Sequence, residues 1–394
     1  MLPAPTANRS SSASTRSLAS RPRNANTSVG TCDAARPVVV SAPNVNLRAR
    51  LGTRIAIVCA LLVSLTFVIL FDGPAPRDDT ILGVTFSPRY ARYLGLDPHT
   101  VFVDMLDELD IRHVRLPLYW DEIEPTPDVF AFDDVDFYLE QSSARGVTLL
   151  LSVGYKQPRW PECYAPAWAA GLPADHLRRR ILRVVEAEVV HARDNPSVAM
   201  WQPENEPFVA FGDCAGREAL TSEFLRQEID LIHRLDPRPV IVTDSGEAST
   251  WLTALQTSDV YFGLSLYRDI PMPVLGVWHF PQPAWSYTAK DRFARSVVGN
   301  HGTTFITELQ AESWFAEGGL LEIHQDIHRR DFPPERVLTA NLDYARRAYF
   351  PQIYLWGVEW WYWMSSRGYP EYVATARSLM RSMTAGEPAS NLRT

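Results

Sequence analysis

Two short stretches carry carboxylates in positions that suit chemistry. Trp201-Gln202-Pro203-Glu204-Asn205-Glu206-Pro207-Phe208 sets two acids around an asparagine, between two prolines, directly after the apolar residues 198–201. Phe305-Ile306-Thr307-Glu308-Leu309-Gln310 puts one acid at the end of another β-branched run. A facing pair of carboxyl groups suits cleavage of a glycosidic bond. One protonates the leaving oxygen; the other attacks the anomeric carbon or activates water. The pair works only if the first is kept protonated and the second ionised. A guanidinium beside one partner favours its ionised form, and Arg115, in His113-Val114-Arg115-Leu116-Pro117, is the candidate.

Such residues must be delivered to one place by the fold. From about residue 80 the chain alternates short apolar runs with amphipathic stretches. Strands are expected at 81–86, 113–117, 147–153, 198–203, 240–243, 260–266, 303–308 and 353–361. Helices are expected at 99–109, 133–145, 175–193, 217–235, 250–255, 289–298, 336–350 and 371–383. Near-continuous apolar strands alternating with helices indicate a parallel sheet covered on its outer face. Eight such units predict an α/β chain folded as a (β/α)8 TIM barrel over residues 75–394. A doubly wound open sheet would want a G-x-G-x-x-G turn after its first strand, and none follows 81–86. Active groups of such barrels lie at the C-terminal ends of strands. Those ends carry Arg115 (strand 2), Glu204 and Glu206 (strand 4), Tyr267 (strand 6), Glu308 (strand 7) and the residues 359–363 (strand 8).

At these residues the chain resembles clan A of the glycoside hydrolases, the retaining 4/7 superfamily, over roughly residues 80–385. Its strand-4 signature, Asn-Glu-Pro, stands here as Asn205-Glu206-Pro207, and its strand-7 Thr-Glu as Thr307-Glu308. The resemblance implies that Glu206 is the general acid/base, Glu308 the nucleophile and Asn205 a ligand of the sugar 2-hydroxyl. It implies that Arg115 holds Glu308 and that Tyr267 touches it. Gly357 followed by Trp361 resembles the clan's strand-8 pattern, so Trp361 is expected to floor the attacked sugar ring, with Trp360 and Trp363 competing. The stretch around Trp120, Glu122, Glu124-Pro125, Asp136 and Gly146 resembles families 5, 39 and 42, and Trp120 is a candidate sugar contact. Glu204 then falls outside the reacting pair, while Glu312 and Glu359 are nearby acids. The implied reaction is retaining hydrolysis of a β-type glycosidic bond in an oligo- or polysaccharide, without metal or organic cofactor. Transfer to a second sugar is an alternative outcome. A non-catalytic carbohydrate-binding protein of the cell envelope is the rival from another class.

The rest of the sequence bounds the setting. Residues 1–54 hold eight arginines and one acid, so with a net charge of −8 overall the remainder carries −15. An acidic body speaks against a nucleic-acid groove. The segment 1–54 is poor in core-forming residues and is expected to be disordered. Residues 55–71 form a run of 17 without a charge, preceded by arginines. They are expected to act as a transmembrane signal anchor with the catalytic domain outside the cytoplasm, or as a cleaved signal. Only Cys163 and Cys214 of the four cysteines lie beyond that run. They follow strands 3 and 4, whose loops are neighbours, so they are a candidate disulfide. His324 and His328 have i, i+4 spacing, but Gln325 stands where an H-E-x-x-H helix needs its base, so a metallohydrolase is not favoured.

Overall fold

A computed structural model of the protein describes residues 47–70, 75–272, 276–315 and 319–385. The chain divides into two units, Met1–Ser64 and Leu65–Thr394. The expected disorder over 1–46 lies outside the described residues. The remainder of that expectation is corrected, because residues 47–54 open the helix Leu47–Leu70. Leucine, alanine and arginine, which dominate its first turns, are strong helix formers. The uncharged run is thus helical as far as residue 70, but no helix among the described residues is long and apolar enough to cross a membrane. A run of 17 residues gives about 25 Å of helix, against about 30 Å of bilayer hydrocarbon.

In the larger unit the eight expected strands form: β1 (Ile81–Thr85), β2 (His113–Pro117), β3 (Thr148–Val153), β4 (Val198–Pro203), β5 (Ile241–Ser245), β6 (Tyr261–Leu266), β7 (Thr303–Gln310) and β8 (Gln352–Trp356). They pair in parallel in the order β4-β3-β2-β1-β8-β7-β6-β5. A parallel bridge between Trp201 and Val240 joins the two outer strands, and the Trp201 N–H donates to the Pro239 carbonyl at 3.0 Å. The sheet is therefore a closed barrel. Inside it Leu150, Ile241, Phe305 and Tyr354 form a small apolar plug, below the strand ends that carry polar groups. The main core lies outside, between the sheet and the helices.

Helix positions follow local chemistry. Asp133–Arg145 starts with Asp133, Asp134 and Asp136 at the positive end of the helix dipole and stops at Gly146, whose φ of 65° is costly for other residues. Ser222–Leu235 is capped by the Thr221 side chain and buries Phe224, Leu225, Ile229 and Ile232 on one stripe. A two-stranded hairpin, Asp269–Met272 with Gly276–His279, follows β6 and was not expected.

The largest departure concerns strand 8. The expected strand 353–361 ends at Trp356. Gly357, at φ 123°, turns the chain into the helix Val358–Ser366. A Cβ at Gly357 would sit 2.6 Å from the Glu312 Cβ, so the turn demands glycine. Residues 359–363 are therefore helical and do not point from a strand end.

Candidate active site

Arg115 ties three strands together. From β2 its Nη1 donates to Glu308 Oε1 at 2.8 Å, its Nη2 to Asn205 Oδ1 at 2.7 Å and its Nε to Gln202 Oε1 at 2.8 Å. The guanidinium is fully buried, so each of its partners is held without competition from water. The other oxygen of Glu308 accepts the Tyr267 hydroxyl at 3.0 Å. Tyr267 is in turn fixed by its own N–H, which donates to Glu247 Oε1 at 3.2 Å. Both oxygens of Glu308 are thus engaged as acceptors, which aims the carboxyl group in one direction.

The loop after β4 is held in an unfavourable backbone state. Glu204 and Glu206 have φ of 60° and 44°, a region most side chains avoid. Hydrogen bonds hold it there. The Glu204 N–H donates to the Val153 carbonyl at 2.9 Å, and the Glu206 N–H to Thr243 Oγ1 at 2.9 Å. Lys156 adds a buried ammonium that donates to the carbonyls of Asn205 at 3.0 Å and Glu206 at 3.2 Å. Its third direction meets Glu162 Oε2 at 2.6 Å. Three tetrahedral donors suit this pocket better than a planar guanidinium.

Glu206 and Glu308 line one cavity of about 760 Å³, together with Glu162, Glu312, Tyr267 and Trp356. Glu206 Oε1 is buried and has no partner among the described residues. Burial, followed by the negative charges of Glu308 and Glu162, pushes the Glu206 carboxyl up to about 8. Opposite it, the Arg159 guanidinium lies between the rings of Tyr90 and Trp356, at 3.6 and 4.1 Å from their centres. Arg159 pairs with Glu312 and, at 2.9 Å, with Glu359. Trp356 Nε1 donates to the same Glu312 oxygen at 2.8 Å. This leaves Glu312 Oε2 buried and unpaired beside the cavity.

Two expected sugar contacts are corrected. Trp361 is fully buried on the helix after Gly357 and donates from Nε1 to the Ala311 carbonyl at 2.8 Å. Trp356, at the true end of β8, takes the place in the cavity wall. Trp120 is also fully buried, with its Nε1 bonded to Glu124 Oε2 at 2.8 Å; it packs the short helix Trp120–Ile123 and does not line the cavity. Trp356→Ala is expected to lower kcat/KM by at least about tenfold, since it removes a wall and releases Glu312 and Arg159. Steady-state kinetics on the wild type and variant check this.

Cys163 and Cys214 are bonded, with Cα atoms 5.0 Å apart, and brace the loops after β3 and β4. His328 uses both ring nitrogens, toward Ser313 Oγ at 2.7 Å and the Leu320 carbonyl at 3.1 Å, while His324 caps the helix Gln325–Asp331. The two histidines thus have separate structural duties. The β3 loop residues Lys156, Arg159 and Glu162 were missed from sequence. One signal was available: Lys156 is one of only two lysines in an arginine-rich chain.

Glu204 faces away from the cavity. Its carboxylate accepts the N–H of Tyr155 at 2.9 Å and that of Lys156, fixing the segment that carries the ammonium. It shares its buried site with Glu188 and Glu228. Burial, then the neighbouring Glu204 charge, raises Glu228 well above the ordinary carboxyl range, and burial raises Glu188 likewise. A folded-state pKa above the unfolded value of 4.5 means that the native state holds the proton more tightly. Stability is then fully present below about pH 4.5 and is lost as pH rises toward the folded value. Glu228→Gln, which stays neutral, is expected to keep a melting temperature on the order of 3 °C above the wild type at pH 8, with little difference at pH 5. Scanning calorimetry at both pH values checks the sign.

The sequence matches no family model and no curated protein. Among solved structures it is similar to a β-galactosidase from the psychrophilic Marinomonas ef1, at 12% identity over 79% of this chain and 61% of that one, with a TM-score of 0.50. It is also similar to the intracellular xylanase TsXylA from Thermoanaerobacterium saccharolyticum, at 14% identity over 71% and 86% of the two chains, with a TM-score of 0.47. For endo-glycoceramidase II from Rhodococcus sp. the values are 16%, 72%, 75% and 0.46. These similar structures are glycoside hydrolases, and at such identities the likeness is one of fold: the (β/α)8 barrel.

Proposed function

We propose that the protein is a retaining glycoside hydrolase acting on a β-type glycosidic bond, with Glu206 as general acid/base and Glu308 as nucleophile. The observation that carries this reading is the division of labour within one cavity. Glu308 has both oxygens held by Arg115 and Tyr267, while Glu206 keeps an unpaired oxygen and a proton held up to about pH 8. Glu206 protonates the departing oxygen as Glu308 attacks the anomeric carbon, and a glycosyl-enzyme forms. Glu206 then removes a proton from water as the water attacks that carbon, and the sugar leaves with its original configuration. Asn205, its Oδ1 held by Arg115, keeps its Nδ2 to donate to a sugar hydroxyl, and the bare Glu312 Oε2 offers an acceptor.

Retention can be read directly. Proton NMR of the first product formed from a β-glycoside is expected to show the β-anomer before mutarotation. An α-anomer would replace the nucleophilic role of Glu308 by that of a base acting on water.

We further propose that the catalytic unit works outside the cytoplasm. The Cys163–Cys214 bond supports this, because such bonds persist in oxidising compartments.

A further inference from the structure

The cavity has two unlike sides. Near Glu308 it is polar, with Glu312, Arg159 and Gln310 in its wall. The other side is a row of aromatic rings that runs from the surface to the nucleophile. Trp160 stands against Phe211 with ring centres 6.0 Å apart, Phe211 against Trp314 at 6.4 Å, and Trp314 against Tyr267 at 5.5 Å. Tyr267 then hydrogen-bonds Glu308. The outer members are open to solvent: Trp160 is 67% exposed and Phe211 44%. Large apolar side chains left in water in a contiguous row mark a surface that something apolar covers.

The outer members of the row, Trp160 and Phe211, lie beside the segment that carries the proton donor Glu206. Glu206 gives its proton to the oxygen of the leaving group, so that group rests against the segment that follows Glu206. Val209 and Phe211 belong to that segment, and both line the cavity. The segment is braced to the one bearing Trp160. Cys214 is bonded to Cys163, and the Asp213 N–H donates to the Pro161 carbonyl at 2.9 Å. The exposed rings are therefore held in place before any ligand arrives, which reduces the ordering cost of binding.

A second sugar on that side would bring hydroxyl groups that lose water on binding and need partners. Trp160, Val209, Phe211 and Trp314 supply no carboxylate or amide side chain. Of the carboxylates that share the cavity with them, Glu162 and Glu247 are already engaged, Glu162 by Lys156 and Glu247 by the Tyr267 N–H and the Tyr287 hydroxyl. Resting on the glycosidase reading, we propose that the leaving group is apolar: the substrates are glycosides of an alkyl or lipid alcohol, and the Trp160–Phe211–Trp314 row holds the first part of that chain. The glycosidic C–O bond breaks, the alcohol departs with the proton of Glu206, and water supplies the hydroxyl that remains on the sugar.

The test uses the full chain with methyl, butyl, hexyl and octyl β-glucosides, β-galactosides and β-xylosides below their micelle concentrations. On the sugar that is turned over, kcat/KM is expected to rise by roughly threefold per methylene over the first several carbons. Trp160→Ser and Phe211→Ser, at exposed positions that the core does not need, are expected to flatten that rise by at least about tenfold at octyl. A flat dependence on alkyl length, with disaccharides of the same sugar hydrolysed well, overturns the apolar leaving group and leaves the glycosidase reading intact. Alkyl glycosides that bind more tightly with chain length, read by tryptophan fluorescence, without any turnover, keep the apolar site and overturn the glycosidase reading. Neither turnover nor length-dependent binding overturns both.

Discussion

Glu308→Gln is expected to lower kcat by at least about 10⁴-fold on every glycoside the protein cleaves, because an amide cannot form the covalent intermediate. The substitution is nearly isosteric. The amide oxygen still accepts from Arg115 Nη1, now at the position held by Oε1 at 2.8 Å in the wild type. The Tyr267 hydroxyl can rotate to accept from the new NH₂ group. Circular dichroism and the melting transition should therefore stay close to wild type, which separates lost chemistry from lost fold. A 2-fluoro glycoside with a good leaving group should inactivate the wild type with one sugar per chain, carried on the peptide that contains Glu308. A label on Glu312 or Glu162, or normal turnover by the variant, would sink the assignment.

The second large effect concerns proton delivery. With the Glu206 carboxyl held up to about 8, it is protonated at neutral pH and can donate. Hydrolysis of glycosides with poor leaving groups should fall as pH rises through about 8, while those with good leaving groups depend on it far less. Glu206→Gln should cost 10²–10⁴-fold on the poor leaving groups and remove that limb of the profile. Burial is the first cause of the raised value and the Glu308 charge the second. That charge vanishes when the glycosyl-enzyme forms. The same carboxyl then releases its proton more readily, which is what the second half-reaction asks of it. Carbon-13 NMR of labelled Glu206 should therefore show a lower titration midpoint in the 2-fluoro-trapped enzyme than in the free one. An unchanged midpoint would mean that burial alone sets it.

The strand count was legible because every barrel strand is a short apolar run bounded by polar turns, and length and order then point to a barrel. The two carboxylates that share the cavity, Glu206 and Glu308, were legible as candidates because they end such runs. Strand 8 was misjudged for a local reason. Apart from Glu359, residues 353–363 are apolar or aromatic, so a strand and a buried helix look alike there. Gly357 marks the break, but its positive φ is visible only in the folded backbone. Trp356, not Trp361, therefore reaches the cavity. The duties of Lys156, Arg159 and Glu162 were hidden because an irregular loop has no period from which side-chain direction can be read.

The amino-acid sequence by itself determined the parallel eight-unit architecture and which two carboxylates end the fourth and seventh strands, since both follow from apolar patterning along the chain. The tertiary structure decided that Glu206 keeps its proton and that both oxygens of Glu308 are held. The first depends on burial and on the charges of Glu308 and Glu162, the second on hydrogen bonds from Arg115 and Tyr267, all brought together from distant segments. It also decided the character of the cavity. The aromatic row joins Trp160, Phe211, Trp314 and Tyr267 from four separate loops, and only closure of the barrel sets them side by side.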